Sequence, residues 1–114
     1  MSLLSAVITG TGMSVPERVL TNKDLEAMVD TSDEWITTRT GIKERRIAEP
    51  GDPLSRYAIE ASRNAIDAAG LQPDRIDLII LATVTPDMPI PATACTIQHE
   101  LGCGKAASFD MQAG

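Results

Sequence analysis

Trp35 and Arg39 are the residues whose types and spacing are best suited to binding chemistry. They are four residues apart, so on a helix both side chains project from the same side. A planar indole beside a guanidinium can stack a flat heteroaromatic ring while the cation reaches a phosphate. Thr31, at the predicted start of the same helix, adds a hydroxyl group. Spacing alone leaves an alternative equally open, namely a partly buried tryptophan packed under the stem of an arginine.

Cys95 and Cys103 are the only cysteines and hence the candidate nucleophiles. Cys95 lies four residues before His99 on a predicted helix, a spacing that a nucleophile and its base could use. Both lie away from the apolar stripe of that helix and lack a third orienting residue nearby, so structural roles are favoured. Cys103 stands between two glycines without an evident partner. Because neither cysteine fits a zinc or CxxC spacing, we predict no metal site and a reducing, cytoplasmic setting.

Gly10 and Gly12 flank a threonine and resemble part of a phosphate-binding loop. The dinucleotide fingerprint needs a third glycine and a helix that begins at once, whereas Val15 and Pro16 follow here. A plain turn that uses a positive φ at glycine is the favoured interpretation.

The composition is typical of a folded domain and limits the possible functions. Of 114 residues, 43% are hydrophobic and 23% are charged, with a net charge of −6. The acidic balance argues against nucleic-acid binding, which needs clustered Lys and Arg. No apolar run approaches the ~18 residues of a membrane span, and the start lacks the basic leader of a signal peptide. We therefore predict neither a nucleic-acid nor a membrane partner.

A local basic run interrupts this acidic chain. Arg39, Lys43, Arg45 and Arg46 stand against the single carboxylate of Glu44. Such a patch suits one small anionic ligand better than a polymer. Charge alone favours the alternative, a solvated charged surface.

Local signals predict two short capped helices in the first half of the chain. Thr21, followed three residues later by Asp24, is typical of a helix start. Thr31 and Glu34 have the spacing of a capping box that opens a helix over residues 33–39. The Trp35–Arg39 pair would lie on this second helix.

The remaining pattern predicts a layered α/β domain with a mostly parallel sheet. Apolar runs indicate strands, and the charge-free run Leu78–Val84 is typical of a strand covered on both faces. Helices are predicted where apolar residues recur every three or four positions. In order, the predicted elements are a strand at 4–9, a helix between Pro53 and Gly70, a strand at 78–84, a helix with Ile90, Ala94, Ile97 and Leu101 on its apolar stripe, and a strand at 107–111.

Residues 30–42 carry a long and specific motif, Asp-Thr-Ser-Asp-Glu-Trp-Ile followed after one residue by Thr-Arg-Thr-Gly-Ile. With residues 10–12, 21–25, 78–83, 91–98 and 109–110, this motif resembles the β-ketoacyl-acyl-carrier-protein synthase III family. These are the initiating condensing enzymes of bacterial type II fatty-acid synthesis. The resemblance extends over nearly the whole chain.

The resemblance implies a thiolase-like fold, in which two similar αβαβα halves form one subunit of a homodimer. Residues 1–114 would be most of the first half, and the nucleophilic cysteine would directly follow Gly114. The family's His and Asn would lie in the second half. We therefore expect no catalytic residue in the chain and no condensing activity from it alone.

The implied activity is that of an acyltransferase. It condenses acetyl-CoA or a similar primer with malonyl-acyl-carrier protein through a cysteine thioester, with coenzyme A as substrate and no permanently bound cofactor. By resemblance, Thr31, Trp35 and Arg39 flank the adenine of coenzyme A and its phosphate-bearing end. Ile90 replaces a Phe that some members carry at the acyl pocket, which leaves the primer length open. The alternatives are an initiating ketosynthase of a polyketide pathway and a free-standing CoA-binding module.

Overall fold

The computed structural model describes residues 4–113. The chain divides into two compact units. One contains the residues up to Ser14 together with those from Pro53 onward, and the other is Val15–Asp52.

The unit Val15–Asp52 consists of two short helices and an antiparallel strand pair. Its elements are β1 (Val19–Thr21), α1 (Asn22–Glu26), α2 (Asp33–Thr40) and β2 (Glu44–Arg46). Strands β1 and β2 pair with Val19 opposite Arg46. This pair was not predicted, because a strand of three residues is too short to show an alternating pattern.

The start of α1 is confirmed, whereas the predicted cap of α2 is wrong. Thr21 caps α1 and forms a reciprocal capping box with Asp24. The N-cap of α2 is Ser32, whose hydroxyl accepts the backbone N–H of Trp35 at 3.1 Å. Thr31 and Ser32 can both cap by chemistry. The tertiary contact decides between them, because the backbone N–H of Asp33 donates to the Glu26 carboxylate at 2.7 Å.

The second unit has the predicted strand–helix–strand order. Its elements are α3 (Leu54–Ala68), a 3₁₀ turn (Pro73–Arg75), β3 (Leu78–Ala82), α4 (Thr93–Leu101) and β4 (Ala107–Met111). Strands β3 and β4 are parallel, with Leu78 opposite Ala107. The predicted α/β class and the parallel pairing are therefore confirmed. A parallel pair needs a crossover connection, and α4 lies within it.

The core of this unit lies between α4, α3 and the strand pair. Ile97 and Leu101 of α4 are buried together with Cys103 and Ala106. Partly buried side chains of α3 and β3 pack against them, namely Ala58, Ile59, Ile66, Ile79 and Leu81. Three of the four residues of the predicted apolar stripe of α4, Ala94, Ile97 and Leu101, are therefore confirmed as buried.

The run Leu78–Val84 was predicted to form a strand covered on both faces. That prediction is wrong for the described residues, where one face of β3 is exposed. Side chains alternate along β3 and β4, and only one face meets α4. The other face exposes Leu78, Ile80, Phe109 and Met111, each between 43% and 51% accessible. An apolar strand is buried on both faces only where other elements of the structure cover both faces.

Two further predicted positions are wrong. Residues 4–9 form no strand among the described residues, and Leu4, Val7 and Ile8 are 79–101% exposed. An apolar run needs a neighbouring strand to complete its hydrogen bonds. Ile90 does not lie on α4 but precedes it and is 86% exposed. Pro91 explains this position, since a proline disfavours helical backbone in the residue before it.

Gly10 and Gly12 have a different role from the one predicted. Neither has a positive φ, so the turn interpretation is wrong. A Cβ atom at Gly12 would instead collide with the Ala61 carbonyl and the Ala65 amide of α3. One at Gly10 would collide with the backbone at Ala65 and Ala69. The glycines allow the two backbones to approach closely.

Candidate functional site

Helix α2 presents the predicted binding pair on its exposed side. Trp35 is 55% exposed, and the guanidinium carbon of Arg39 lies 4.9 Å from the centroid of the indole ring. Ser32 fixes the first turn by its cap, and Gly41, with φ of 71°, ends the helix. The Trp35–Arg39 pair thus stands on a helix with both ends defined, as binding at a fixed geometry requires.

Two open depressions adjoin Trp35. One has a volume of about 380 Å³ and is lined by Asp30, Thr31, Ser32 and Trp35. The other, of about 370 Å³, is lined by Ser32, Glu34, Trp35, Thr38 and Arg39. Thr31 and Arg39 therefore lie in different depressions, and Trp35 belongs to both. In the second depression the Arg39 cation balances the Glu34 carboxylate, whereas Asp30 is, among the described residues, the one charged group lining the first, so an anionic group is repelled less in the second.

The distance between Arg39 and Trp35 defines what the pair can hold. A flat ring held between two groups needs them about 7 Å apart, twice the ~3.5 Å contact of stacked carbon atoms. The observed 4.9 Å is a direct cation–π contact and leaves no such gap. A ring could stack on the indole once the flexible arginine side chain moves away, and the guanidinium would then be available to a phosphate.

Much of the basic run that follows α2 has internal partners. Arg45 donates to the Leu20 carbonyl at 3.2 Å and to the Asn22 side-chain oxygen at 2.8 Å. Arg46 donates to the Pro16 carbonyl at 3.1 Å. These bonds join β2 to Pro16, to β1 and to the first residue of α1. Arg39, on α2 itself, lines the depression beside Trp35.

Asn22 is a residue that the sequence analysis missed. Its side chain is 1% exposed and bonds to α2, to the loop after it and to β2. The signal available in the sequence was an asparagine immediately after a capping threonine, which is not distinctive. Its importance arises from contacts with residues 11 to 23 positions away.

The cysteines do not form a reactive site in this structure. Cys103 is fully buried in the core, and burial raises the pKa of its thiol, which keeps the unreactive protonated form. Cys95 and His99 are exposed, as predicted from the helix pattern. The Cys95 sulfur accepts the Ser108 hydroxyl at 3.5 Å and lines a depression of about 370 Å³ with His99 and Gln98. The expected position of the nucleophile, after Gly114, lies outside the described residues.

The part of the chain that the structure describes shows neither a metal-binding cluster nor a membrane-spanning helix. Among residues 4–113, no group of three or more His, Cys, Asp or Glu side chains is placed to hold a metal ion. Within the same residues, no helix combines the length and apolar character that a membrane span requires.

Solved structures of proteins with similar sequences have the same fold as this chain. The crystal structure of 3-oxoacyl-[acyl-carrier-protein] synthase III from Aquifex aeolicus VF5 superposes with a TM-score of 0.84 and 53% identity, over 93% of this chain and 34% of that one. The priming β-ketosynthase of the R1128 polyketide pathway also gives 0.84, at 40% identity, over 93% of this chain and 32% of that one. The fold is that of the thiolase-like condensing enzymes.

Sequence comparison assigns the chain more narrowly. β-Ketoacyl-[acyl-carrier-protein] synthase III of Symbiobacterium thermophilum is 63% identical over 113 residues, which are 99% of this chain and 34% of that protein. The synthase III of Roseiflexus castenholzii is 63% identical over 108 residues, or 95% of this chain and 33% of that protein. The chain is thus similar over nearly its whole length to β-ketoacyl-[acyl-carrier-protein] synthases III, and it spans about a third of these relatives' length. No protein-family model matches it.

Proposed function

We propose that these residues act as the amino-terminal third of a complete β-ketoacyl-acyl-carrier-protein synthase III. That enzyme transfers the acyl group of acetyl-CoA or a related primer to a cysteine and condenses it with malonyl-acyl-carrier protein. The support is the 63% identity over nearly the whole chain and the shared fold at a TM-score of 0.84. In this proposal the nucleophile is neither Cys103, which is buried, nor Cys95.

The contribution of this chain is one wall of the site for coenzyme A. The observation that carries this proposal is the exposed Trp35–Arg39 pair beside an open depression of about 370 Å³. The adenine stacks on the indole, and Arg39 leaves the ring face to bind a phosphate of the same ligand. Thr31, which lines the other depression beside the tryptophan, offers its hydroxyl to the ligand.

The proposal includes the protein partners and the location of the complete enzyme. Acyl-CoA and acyl-carrier protein are its substrates, a second copy of the chain completes a homodimer, and coenzyme A is bound as substrate rather than as a resident cofactor. The free thiols of Cys95 and Cys103 accord with a reducing cytoplasm.

Replacing Trp35 by alanine in the complete synthase tests this binding site. The dissociation constant for coenzyme A, measured by calorimetry, should rise by the equivalent of ~1–3 kcal/mol, the usual value of a base stacked on an aromatic side chain. Tyr57→Ala is the matched control, because Tyr57 also lies under an arginine, Arg56 at 5.6 Å, but on α3. It should leave the affinity unchanged. An unaltered affinity in Trp35→Ala would remove the binding assignment.

A polyketide priming ketosynthase is the second candidate, favoured by the structural similarity at 40% identity. The fatty-acid enzyme fits better, because relatives of that name reach 63% identity. Primer preference separates the two: faster turnover with acetyl-CoA than with longer acyl-CoA thioesters supports the fatty-acid enzyme. A free-standing CoA-binding module is disfavoured by the exposed apolar sheet face of Leu78, Ile80, Phe109 and Met111.

A further inference from the structure

The Asn22 side chain lies at the centre of a polar network in the unit Val15–Asp52. Its amide nitrogen donates to Asp33 Oδ1 and to the Ile42 carbonyl, both at 2.7 Å, and to Thr37 Oγ1 at 3.3 Å. Its oxygen accepts the Arg45 guanidinium at 2.8 Å. The backbone N–H of Asn22 donates to the Lys43 carbonyl at 3.1 Å. One residue thereby connects α1 to α2, to the turn after α2 and to β2.

The chemistry of these partners requires an asparagine. A carboxylate and a carbonyl face the amide nitrogen, and a cation faces the amide oxygen. Only a side chain with a donor on one side and an acceptor on the other satisfies all of them. Rotating the amide by half a turn would place oxygen against oxygen and nitrogen against the guanidinium. The network therefore fixes the orientation of Asn22.

Apolar packing does little to hold α2 in place. Throughout residues 15–52, which are all described, the buried side chains are Asn22 and Ile36. One isoleucine at 9% exposure cannot define both the rotation and the tilt of a helix. Directional hydrogen bonds can, since each one constrains an angle as well as a distance.

The bonds from Asn22 act on the side of α2 opposite the candidate site. Asp33 and Thr37 are four residues apart and share one face. Trp35 and Arg39 each follow one of them by two positions, which is about 200° around a helix of 3.6 residues per turn. Any rotation of α2 about its axis would thus carry Trp35 and Arg39 out of position.

We propose that Asn22 is a positioning residue for coenzyme A, which sets the rotation of α2 and thereby places Trp35 and Arg39 against the ligand. This inference rests on the proposed function. Asn22 touches neither Trp35 nor the depression beside it, and acts through Asp33, Thr37 and the Ile42 carbonyl.

Asn22→Asp in the complete synthase is the principal test. It keeps the size of the side chain but turns an acceptor toward the Asp33 carboxylate and the Ile42 carbonyl. The KM for acetyl-CoA should rise about tenfold or more, with kcat and the KM for malonyl-acyl-carrier protein changed by less than about twofold. Thr37→Val is the milder variant, for use should Asn22→Asp fail to fold, and should raise the same KM by about twofold to threefold.

Asn64→Asp is the matched control. Asn64 also donates its amide to a distant backbone carbonyl, that of Met13 at 3.0 Å, but it lies on α3 in the other unit. The KM for acetyl-CoA should not change in this variant. A rise equal to that of Asn22→Asp would show that a lost amide bond acts through general destabilisation, and would overturn the inference.

A variant in which Trp35 and Arg39 are both alanine separates positioning from other roles. If Asn22 acts through these side chains, adding Asn22→Asp to that variant should change the KM for acetyl-CoA by less than about twofold. A full tenfold effect in that background would overturn the inference. An unchanged KM in Asn22→Asp alone would overturn it while leaving the proposed function intact. An unchanged KM in the alanine variant would reject the proposed site and this inference together.

Hydrogen exchange of the ligand-free protein gives the structural readout. In Asn22→Asp, the backbone amides of α2 should exchange about tenfold faster, while those of α3 keep the exchange rates of the wild type. Unchanged exchange in α2 would contradict the proposed role of Asn22.

Discussion

Each of the two units of the chain is stabilised internally by a different kind of contact. In the unit that contains α3 and α4, apolar side chains and closely approaching backbones form the core around Ile97 and Leu101. In Val15–Asp52, a hydrogen-bonded asparagine takes the central place. The unit with α3 and α4 depends on filling volume, and Val15–Asp52 depends on satisfying directional bonds. The candidate binding residues Trp35 and Arg39 lie in Val15–Asp52, where one polar substitution can move a helix.

The helix ends show the same difference. In Val15–Asp52, the neighbouring residues Thr21 and Ser32 cap α1 and α2, and the Glu26 carboxylate also accepts the first N–H of α2. In the other unit, the caps come from distant carboxylates. Asp87 accepts the Ser55 N–H of α3, and Asp110 accepts the first amides of α4 at 2.8 Å. Local caps define where a helix begins, whereas distant caps also define what the helix packs against.

The largest effect on stability should come from Gly12→Ala. The added methyl group would meet the backbone of α3 at Ala61 and Ala65, which cannot move without shifting the helix. Overpacking of this kind costs about 1–3 kcal/mol of unfolding free energy. Urea unfolding of the chain measures the loss. Gly104→Ala is the control, since no atom lies within 4 Å of the added methyl group. Equal stability of the two variants would contradict the close approach of residues 10–12 to α3.

A smaller effect, about 1 kcal/mol, is expected for Ser32→Ala, which removes the cap of α2. Thr31→Ala should leave the unfolding free energy nearly unchanged, because its hydroxyl is not the capping group. Both variants are compared by urea unfolding. A larger loss in Thr31→Ala would restore the capping box expected from the sequence and contradict the observed start of α2.

The smallest effect concerns Asp24 and pH. The Thr21 hydroxyl, and then the Thr21 backbone N–H, donate to the Asp24 carboxylate and lower its pKa in the folded state. The resulting stabilisation is complete above the pKa of the unfolded chain and is lost as the pH falls through the lowered folded value. Wild type should therefore lose slightly more stability than Asp24→Asn between about pH 6 and pH 3. Thermal unfolding at each pH measures this difference, and parallel curves would exclude the capping contribution.

The sequence by itself determined the elements that depend on neighbouring residues. The positions of Ala94, Ile97 and Leu101 on α4, the Thr21 cap and the order β3–α4–β4 were predicted and confirmed. The motif around Trp35 and Arg39 predicted the similarity to the synthase III family and placed both residues on one helix. These features follow from interactions over four residues or fewer, whose spacing is visible in a single sequence.

Only the tertiary structure decided the features that join distant segments. The choice of Ser32 over Thr31 depends on Glu26, the roles of Gly10 and Gly12 depend on α3, and the exposure of Ile80 depends on which elements cover the sheet. Asn22 acquires its partners only when α1, α2 and β2 come together. The physical reason is that burial and hydrogen bonding are properties of a surrounding structure, and a residue type fixes only what it is able to bond.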